Sequence, residues 1–262
     1  MKTASYARGF GSEQFWNTYG RTPDYAQRIA AIDLLVPPST LSIIDIGCGA
    51  GDVITALSAN RTNLTAVGVD PAMEAIRHLA GSRAQALLPF LPFSNRQFDM
   101  VLCLEVLEHL SDRLFRSSLH EMGRLARFHA IVGVPYREDL NRLQVRCANC
   151  GLKSHAYGHL RSFGKSEMMN LLPGFVLDRF ILTGLVQRSP APVAVSLAQR
   201  LADLHHSPAD HSCPHCHRYL SAASTKPRPV RWAARRFIAF VTALSPARPY
   251  WLIALYRRER PE

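Results

Sequence analysis

Ile43-Ile44-Asp45-Ile46-Gly47-Cys48-Gly49-Ala50-Gly51 is the stretch whose reading decides the fold. It reads as a buried strand over about 43–47 that runs into a glycine loop, followed by a helix over about 52–59. Glycines at every second position let the backbone turn sharply and approach a ligand with no Cβ in the way. The helix behind them offers unpaired N–H groups and the positive end of its dipole. The third glycine comes one residue early for a dinucleotide fingerprint, and Asp52 holds the expected place. Asp45, inside the strand end, would repel a pyrophosphate. It suits a ligand with cationic groups, such as an amino group and a sulfonium. A second strand, Leu64 to Val69, ends in Asp70, at the distance from the loop expected of a carboxylate that accepts both hydroxyls of a ribose.

Working outward, strand and helix patterns alternate from Leu41 to Val134: a helix at 73–80, a short strand near 84–88, a strand at 98–104, a helix at 111–126 and a strand at 128–134. Such alternation means parallel strands joined by right-handed crossovers. Ligands then bind at the carboxyl ends of the strands, beside the point where strand order reverses. Asp45, Asp70 and Glu105 all fall at such ends. Upstream, Thr22 and Pro23 read as the N-cap and first position of a helix reaching about Leu35. The aromatics before it, Phe10, Phe15, Trp16 and Tyr19, either cover the ligand or staple onto the core.

The run Asp45-Ile46-Gly47-Cys48-Gly49-Ala50-Gly51, then Val67-Gly68-Val69-Asp70-Pro71, Leu91-Pro92-Phe93 and Phe98 to His109 resembles the class I S-adenosylmethionine-dependent methyltransferases. Within them it is similar to the broad subgroup that includes small-molecule and quinone methyltransferases. The resemblance covers about residues 40–136. It implies an α/β fold: a Rossmann-like seven-stranded sheet with helices on both faces and an antiparallel last strand beside the fifth. It implies that S-adenosylmethionine lies on Asp45, Gly47, Cys48, Gly49, Gly51, Asp70, Pro71, Leu88 and Glu105. The segment Glu105-Val106-Leu107-Glu108-His109 would line the cofactor's methyl end, with His109 and Glu108 as the catalytic candidates; a packing role for His109 and a helix-terminus role for the glutamates stay open. One departure stands out: no acid precedes Leu88-Pro89-Phe90 where the family commonly binds the adenine amino group, so Gln85 or the backbone must substitute.

Four of the six cysteines form two Cys-x-x-Cys pairs, Cys147/Cys150 and Cys213/Cys216. That spacing lets two thiolates reach one ion, and two pairs make a closed four-sulfur site suited to structural zinc. A redox pair is the alternative. Each pair follows a core strand that leaves the sheet at its carboxyl end, so the fold can bring the pairs together. His155, His159, His211, His215 and His217 are reserve ligands, and Cys48 and Cys103 read as buried apolar fillers.

The expected organisation is an N-terminal helical cap at 1–40, a cofactor-binding core at 41–136 and a first insertion at 137–165. The core continues at 166–184. A second insertion at 185–248 holds the second cysteine pair and a basic helix, and 249–262 supplies the last strand and tail. The chain has 262 residues, 47% apolar and 19% charged, with a net charge of +11. No apolar run approaches a membrane span and the first residues lack a signal-peptide core, so a cytoplasmic protein is expected. The charge admits an anionic partner. Helix 228–244 either docks its apolar side on the core or lies on an anionic membrane at the inner face, presenting a lipid-linked substrate. The leading function is methyl transfer to a small-molecule, saccharide or lipid-linked acceptor. The alternatives are a nucleic-acid (RNA) methyltransferase and a non-catalytic zinc-containing binding protein on the same fold.

Overall fold

The computed structural model describes residues 23–77, 79–202, 213, 215–216, 218 and 227–259. The N-terminal aromatics, His211 and His217 lie outside the described residues. The main sheet uses β1 (Ser42–Ile46), β2 (Thr65–Asp70), β3 (Ser82–Gln85), β4 (Phe98–Leu104), β5 (Ala126–Pro135), β8 (Phe175–Thr183) and β11 (Trp251–Arg258). Their order is β3-β2-β1-β4-β5-β11-β8, parallel throughout except for β11, which runs antiparallel to both neighbours. Two short antiparallel ladders stand apart: β6 (Gln144–Arg146) with β7 (Lys153–His155), and β9 (Gln187–Arg188) with β10 (Ala247–Arg248).

Side chains alternate across a strand, so each central strand feeds two cores. Ile43, Met100, Leu102 and Leu104 face one way, together with Trp251 and Ile253 of β11. They pack against α1 (Pro23–Leu35) through Ile32 and Leu35, and against α2 (Asp52–Ala59) through Val53 and Leu57. Ile44, Ile46, Val101 and Cys103 face the other way. They meet Leu119, Met122 and Leu125 of α4 (Asp112–Leu125) and Met168 of α5 (Lys165–Met169). Asp45 shares the parity of Ile43 and therefore points toward α1. At the far end of the sheet, Asp99 Oδ2 accepts the amides of Leu41 and Ser42 at 3.0 and 3.1 Å, which pins β1 against β4.

One element is shorter than its pattern. The helix expected at 73–80 stops as α3 (Met73–Ile76), and Leu79 turns in to fill the space over the glycine loop. A Cβ on Gly51, whose φ is +83°, would stand 2.2 Å from Leu79 Cδ1. The strand expected near 84–88 lies at 82–85, where it extends the sheet beside β2. The second excursion carries α6 (Pro192–Ala202) and α7 (Arg228–Leu244), which pack on each other above the β9–β10 ladder.

Candidate active site

The order reversal between β1 and β4 opens a cavity of about 530 Å³ at the strand carboxyl ends. Three groups of residues build it.

The first is the glycine loop. Gly47 and Cys48 both donate their amides to Val69 O, at 2.7 and 3.1 Å, so the loop folds back over the end of β2. A Cβ at Gly47, φ +78°, would meet Val106 Cγ2 at 2.3 Å. Asp70 Oδ2 accepts the amide of Gly49 at 3.1 Å and Oδ1 that of Ala72 at 2.8 Å. Each oxygen keeps lone-pair capacity for a ligand hydroxyl. Asp45 Oδ1 is buried with no hydrogen-bond partner among the described residues. Burial pushes the Asp45 carboxyl up to about 7, with Arg28 opposing and Asp70 adding to the rise. Arg28 is itself buried, 5.8 Å from the centre of the Tyr25 ring and 5.2 Å from that of Trp251.

The second group is the turn after β4. Glu105 has φ +58°, an unusual backbone state for a side chain of its size, and its amide is held by Gly133 O at 2.8 Å. Glu105 lines the cavity, and burial raises its pKa while Arg28 and Trp251 favour the charged form. Glu108 is fully buried and does not line the cavity. Burial, then the charge of Glu105, raises it well above the usual carboxylate range, so it stays a neutral acid. His109 does line the cavity, but burial, then His159 and His155, lowers its pKa to about 3. The short helical turn Leu107–His109 drives Glu108 beneath the floor and sets the half-buried His109 at the cavity wall against His159, with ring centres 4.7 Å apart.

That loop supplies the third group. His159 Nδ1 is hydrogen-bonded to Glu138 Oε2. His155 stacks on His159 with ring centres 4.8 Å apart, and its Nε2 stands 3.9 Å from Glu138 Oε1. His155 Nδ1 accepts the amides of His159 at 3.2 Å and Tyr157 at 3.4 Å, which places the ring proton on Nε2. Glu138 accepts from His159, so His159 carries its proton on Nδ1 and leaves Nε2 as an acceptor. Glu138, His155 and His159 bring one potential ligand atom each within 4.8 Å of one another, as do Glu108, His109 and His159. Glu138, Tyr157 and His159 all line the cavity.

Of the expected cofactor residues, Asp45, Gly47, Cys48, Asp70 and Glu105 line one cavity. Gly49, Gly51 and Pro71 do not line it, and Leu88 packs in the core. Gln85 donates to Pro71 O at 3.0 Å, beside Asp70. Arg28, Glu138 and the role of His159 did not come from the sequence. Arg28 had a signal: it shares an i, i+4, i+7 face with Ile32 and Leu35, and an arginine on an apolar face invites a reason.

The four cysteines converge as expected. Cys147 Sγ lies 3.6 Å from Cys216 Sγ and Cys150 Sγ 3.7 Å from Cys213 Sγ, and all four lie within 4.8 Å of one another. These separations are far from a disulfide's ~2.05 Å. They match the ~3.8 Å edge of a thiolate tetrahedron built on zinc–sulfur bonds of about 2.3 Å. Gly151, φ +72°, closes the first knuckle by donating to Cys147 O at 2.9 Å. The residues therefore fit zinc.

The class follows from this fold and site, and comparison agrees. A model of the methyltransferase domain matches residues 19–170, more than half of the chain, and the protein belongs to that family. Among curated relatives, the ubiquinone biosynthesis O-methyltransferase of Xylella fastidiosa (strain 9a5c) is 28% identical over 123 residues, 42% of this chain and 48% of that protein. The demethylmenaquinone methyltransferase of Roseiflexus castenholzii is 35% identical over 113 residues, 40% of this chain and 46% of that protein. The chain spans about half the length of the curated relatives it matches. The magnesium protoporphyrin IX methyltransferase of Synechocystis PCC 6803, solved with bound SAH, shares the fold with a TM-score of 0.56 at 14% identity, covering 97% of this chain and 96% of that one.

Proposed function

We propose that this methyltransferase acts on a hydroxyl of a small or lipid-linked acceptor, with His159 as the general base and Glu138 as the carboxylate that orients it. The observation that carries the reading is that the Glu138–His159 pair lines the same cavity as Asp45 and Asp70. Asp45, with its unpartnered oxygen, suits the amino group of the cofactor, and Asp70 suits the ribose diol. Arg28, beside Asp45, suits the cofactor's carboxylate. S-adenosylmethionine, when bound, supplies an already activated methyl group, so the protein's task is alignment, exclusion of water and removal of the acceptor proton. Glu138 fixes the tautomer of His159 and stabilises the imidazolium that forms when Nε2 takes that proton. The curated relatives are both named for quinones, and the one named an O-methyltransferase supports a hydroxyl acceptor. The test is a labelled-methyl screen against fractionated extract, repeated with His159→Asn. The variant should lose about 10²–10⁴-fold in turnover with unchanged cofactor affinity. A fully active variant overturns the assignment.

The four thiolates hold structural zinc. The metal matters to the site because β6 and β7, which flank the first knuckle, lead directly to Leu143, Tyr157 and His159 in the cavity wall. Val145, Cys147, Ala156 and Cys213 form a small core of their own around it.

A further inference from the structure

Helices α6 and α7 leave an unusual surface. Among the described residues, ten of the twenty exposed large apolar side chains lie between Leu185 and Leu244. Residues 184–202 and 227–248 contain seven arginines and no aspartate, glutamate or lysine. No residue of α7 is buried. Its inner side, Arg231, Ala234, Ile238 and Val241, is half-covered by packing on α6. At about 100° per residue, its outer side divides in two. Val230, Phe237, Phe240 and Leu244 make an apolar sector, with Phe240 at 64% and Leu244 at 71% exposure. Arg228, Arg235 and Arg236 make the basic sector beside it, and Trp232 lies among them, with the Arg236 guanidinium 5.5 Å from its ring centre. On α6, Val193, Leu197 and Leu201 continue the apolar stripe at i, i+4 and i+8. No helix of the described residues is long and apolar enough to cross a membrane.

We infer that the α6–α7 hairpin is a docking surface for an anionic lipid bilayer. Charge decides the occupant. A surface whose described residues are basic with no acid among them repels a second copy of itself, and an apolar protein partner gives no use to the arginines. An anionic bilayer satisfies both sectors: the arginines meet headgroups, the phenylalanines enter the acyl boundary, and Trp232 sits at the interface. The hairpin is also tied to the cavity. Arg188 Nη1 donates to Ala243 O at 3.2 Å and Ser245 O at 2.5 Å, which anchors the end of α7 to β9. Gln187, Ser189, Arg248 and Tyr250, at the base of the hairpin, line the cavity wall. Docking therefore brings the mouth of the site to the membrane surface, where a lipid-linked acceptor would be met. The acceptor part of this statement rests on the proposed methyl transfer; the docking part does not.

The experiment is vesicle flotation of the full chain, with cofactor binding measured by calorimetry on the same preparations. Vesicles of phosphatidylglycerol and phosphatidylcholine in equal parts should carry the protein at low salt and release it at about 0.5 M salt, and pure phosphatidylcholine should not carry it. Each arginine removed should weaken partition about fivefold, so R228E/R235E/R236E should lose at least about 100-fold. F237S/F240S should also fail to float, while both variants keep wild-type cofactor affinity. The emission of Trp232 should shift to the blue on anionic vesicles, and W232F should lose the shift. The inference is overturned if a protein that binds cofactor stays off anionic vesicles, if reversing the arginines changes nothing, or if the surface is lost to self-association in sedimentation. Absence of cofactor binding with intact flotation would instead count against the methyl-transfer reading.

Discussion

Replacing Asp45 with Asn tests the electrostatics of the site most directly. The carboxyl rises from 3.8 to about 7 in the folded chain, chiefly through burial. Between about pH 4 and pH 7 the native chain holds this proton and the unfolded chain does not. Stability therefore falls as pH rises through that window, and the loss is complete above about 7. The size is about 4 kcal/mol, at about 1.4 kcal/mol per pH unit. An amide is isosteric and never ionises, but its burial costs about 1–2 kcal/mol. Asp45→Asn should thus gain about 2–3 kcal/mol over wild type at pH 8 and nothing, or a small loss, at pH 4. Urea melts at the two pH values read the difference. The same change should weaken S-adenosylmethionine by roughly 1.5–3 kcal/mol, the scale of a charged hydrogen bond. In the wild type, affinity should rise about tenfold per pH unit from 5 to 7 and then level off, because the carboxyl must release its proton to accept an ammonium. A variant less stable than wild type at pH 8, or a difference that ignores pH, would refute the argument.

Two further outcomes are expected. Elemental analysis of purified protein should find about one zinc per chain, as a four-thiolate site requires, and Cys147→Ser and Cys213→Ser should each lose it; loss in only one variant would mean the pairs do not share an ion. Gly51→Ala should destabilise by roughly 2–4 kcal/mol, since the left-handed backbone and the Leu79 contact both oppose a Cβ, and a melt within about 0.5 kcal/mol of wild type would show that Leu79 yields freely.

Much of this site was legible because its parts are local. The strand, loop and acid from Ile43 to Asp70 lie within one βαβ unit, where spacing alone places them together. The cysteine pairs were legible for another reason: their chemistry demands convergence whatever the path between them. Alternation gave the parallel strands, whereas the antiparallel strand at Trp251–Arg258 followed from the family resemblance. What escaped is non-local or depends on depth. Glu138 and His159 meet only because the β6–β7 hairpin folds back over the cavity. Arg28 reaches Asp45 because α1 docks on the face that Asp45 shares with Ile43. Nothing local reports that His159 packs against His109 either. The early end of α3 had the same cause: Leu79 serves the glycine loop rather than its own helix.

The position of β11 has a consequence for how the chain folds. β8 joins the sheet only through β11, and β11 pairs Trp251 with Pro135 across a long intervening segment. Two of the seven strands therefore wait on closure of one large loop, whose entropy grows with the logarithm of its length. Both cysteine pairs lie inside that loop, with Cys147 against Cys216. An ion bound across them shortens the open path between Pro135 and Trp251 to less than half. That saves roughly 0.8 kcal/mol of closure entropy, a few-fold in the rate at which the last strand is captured. With an ion bound, the cysteine cluster would thus serve as a clasp during folding.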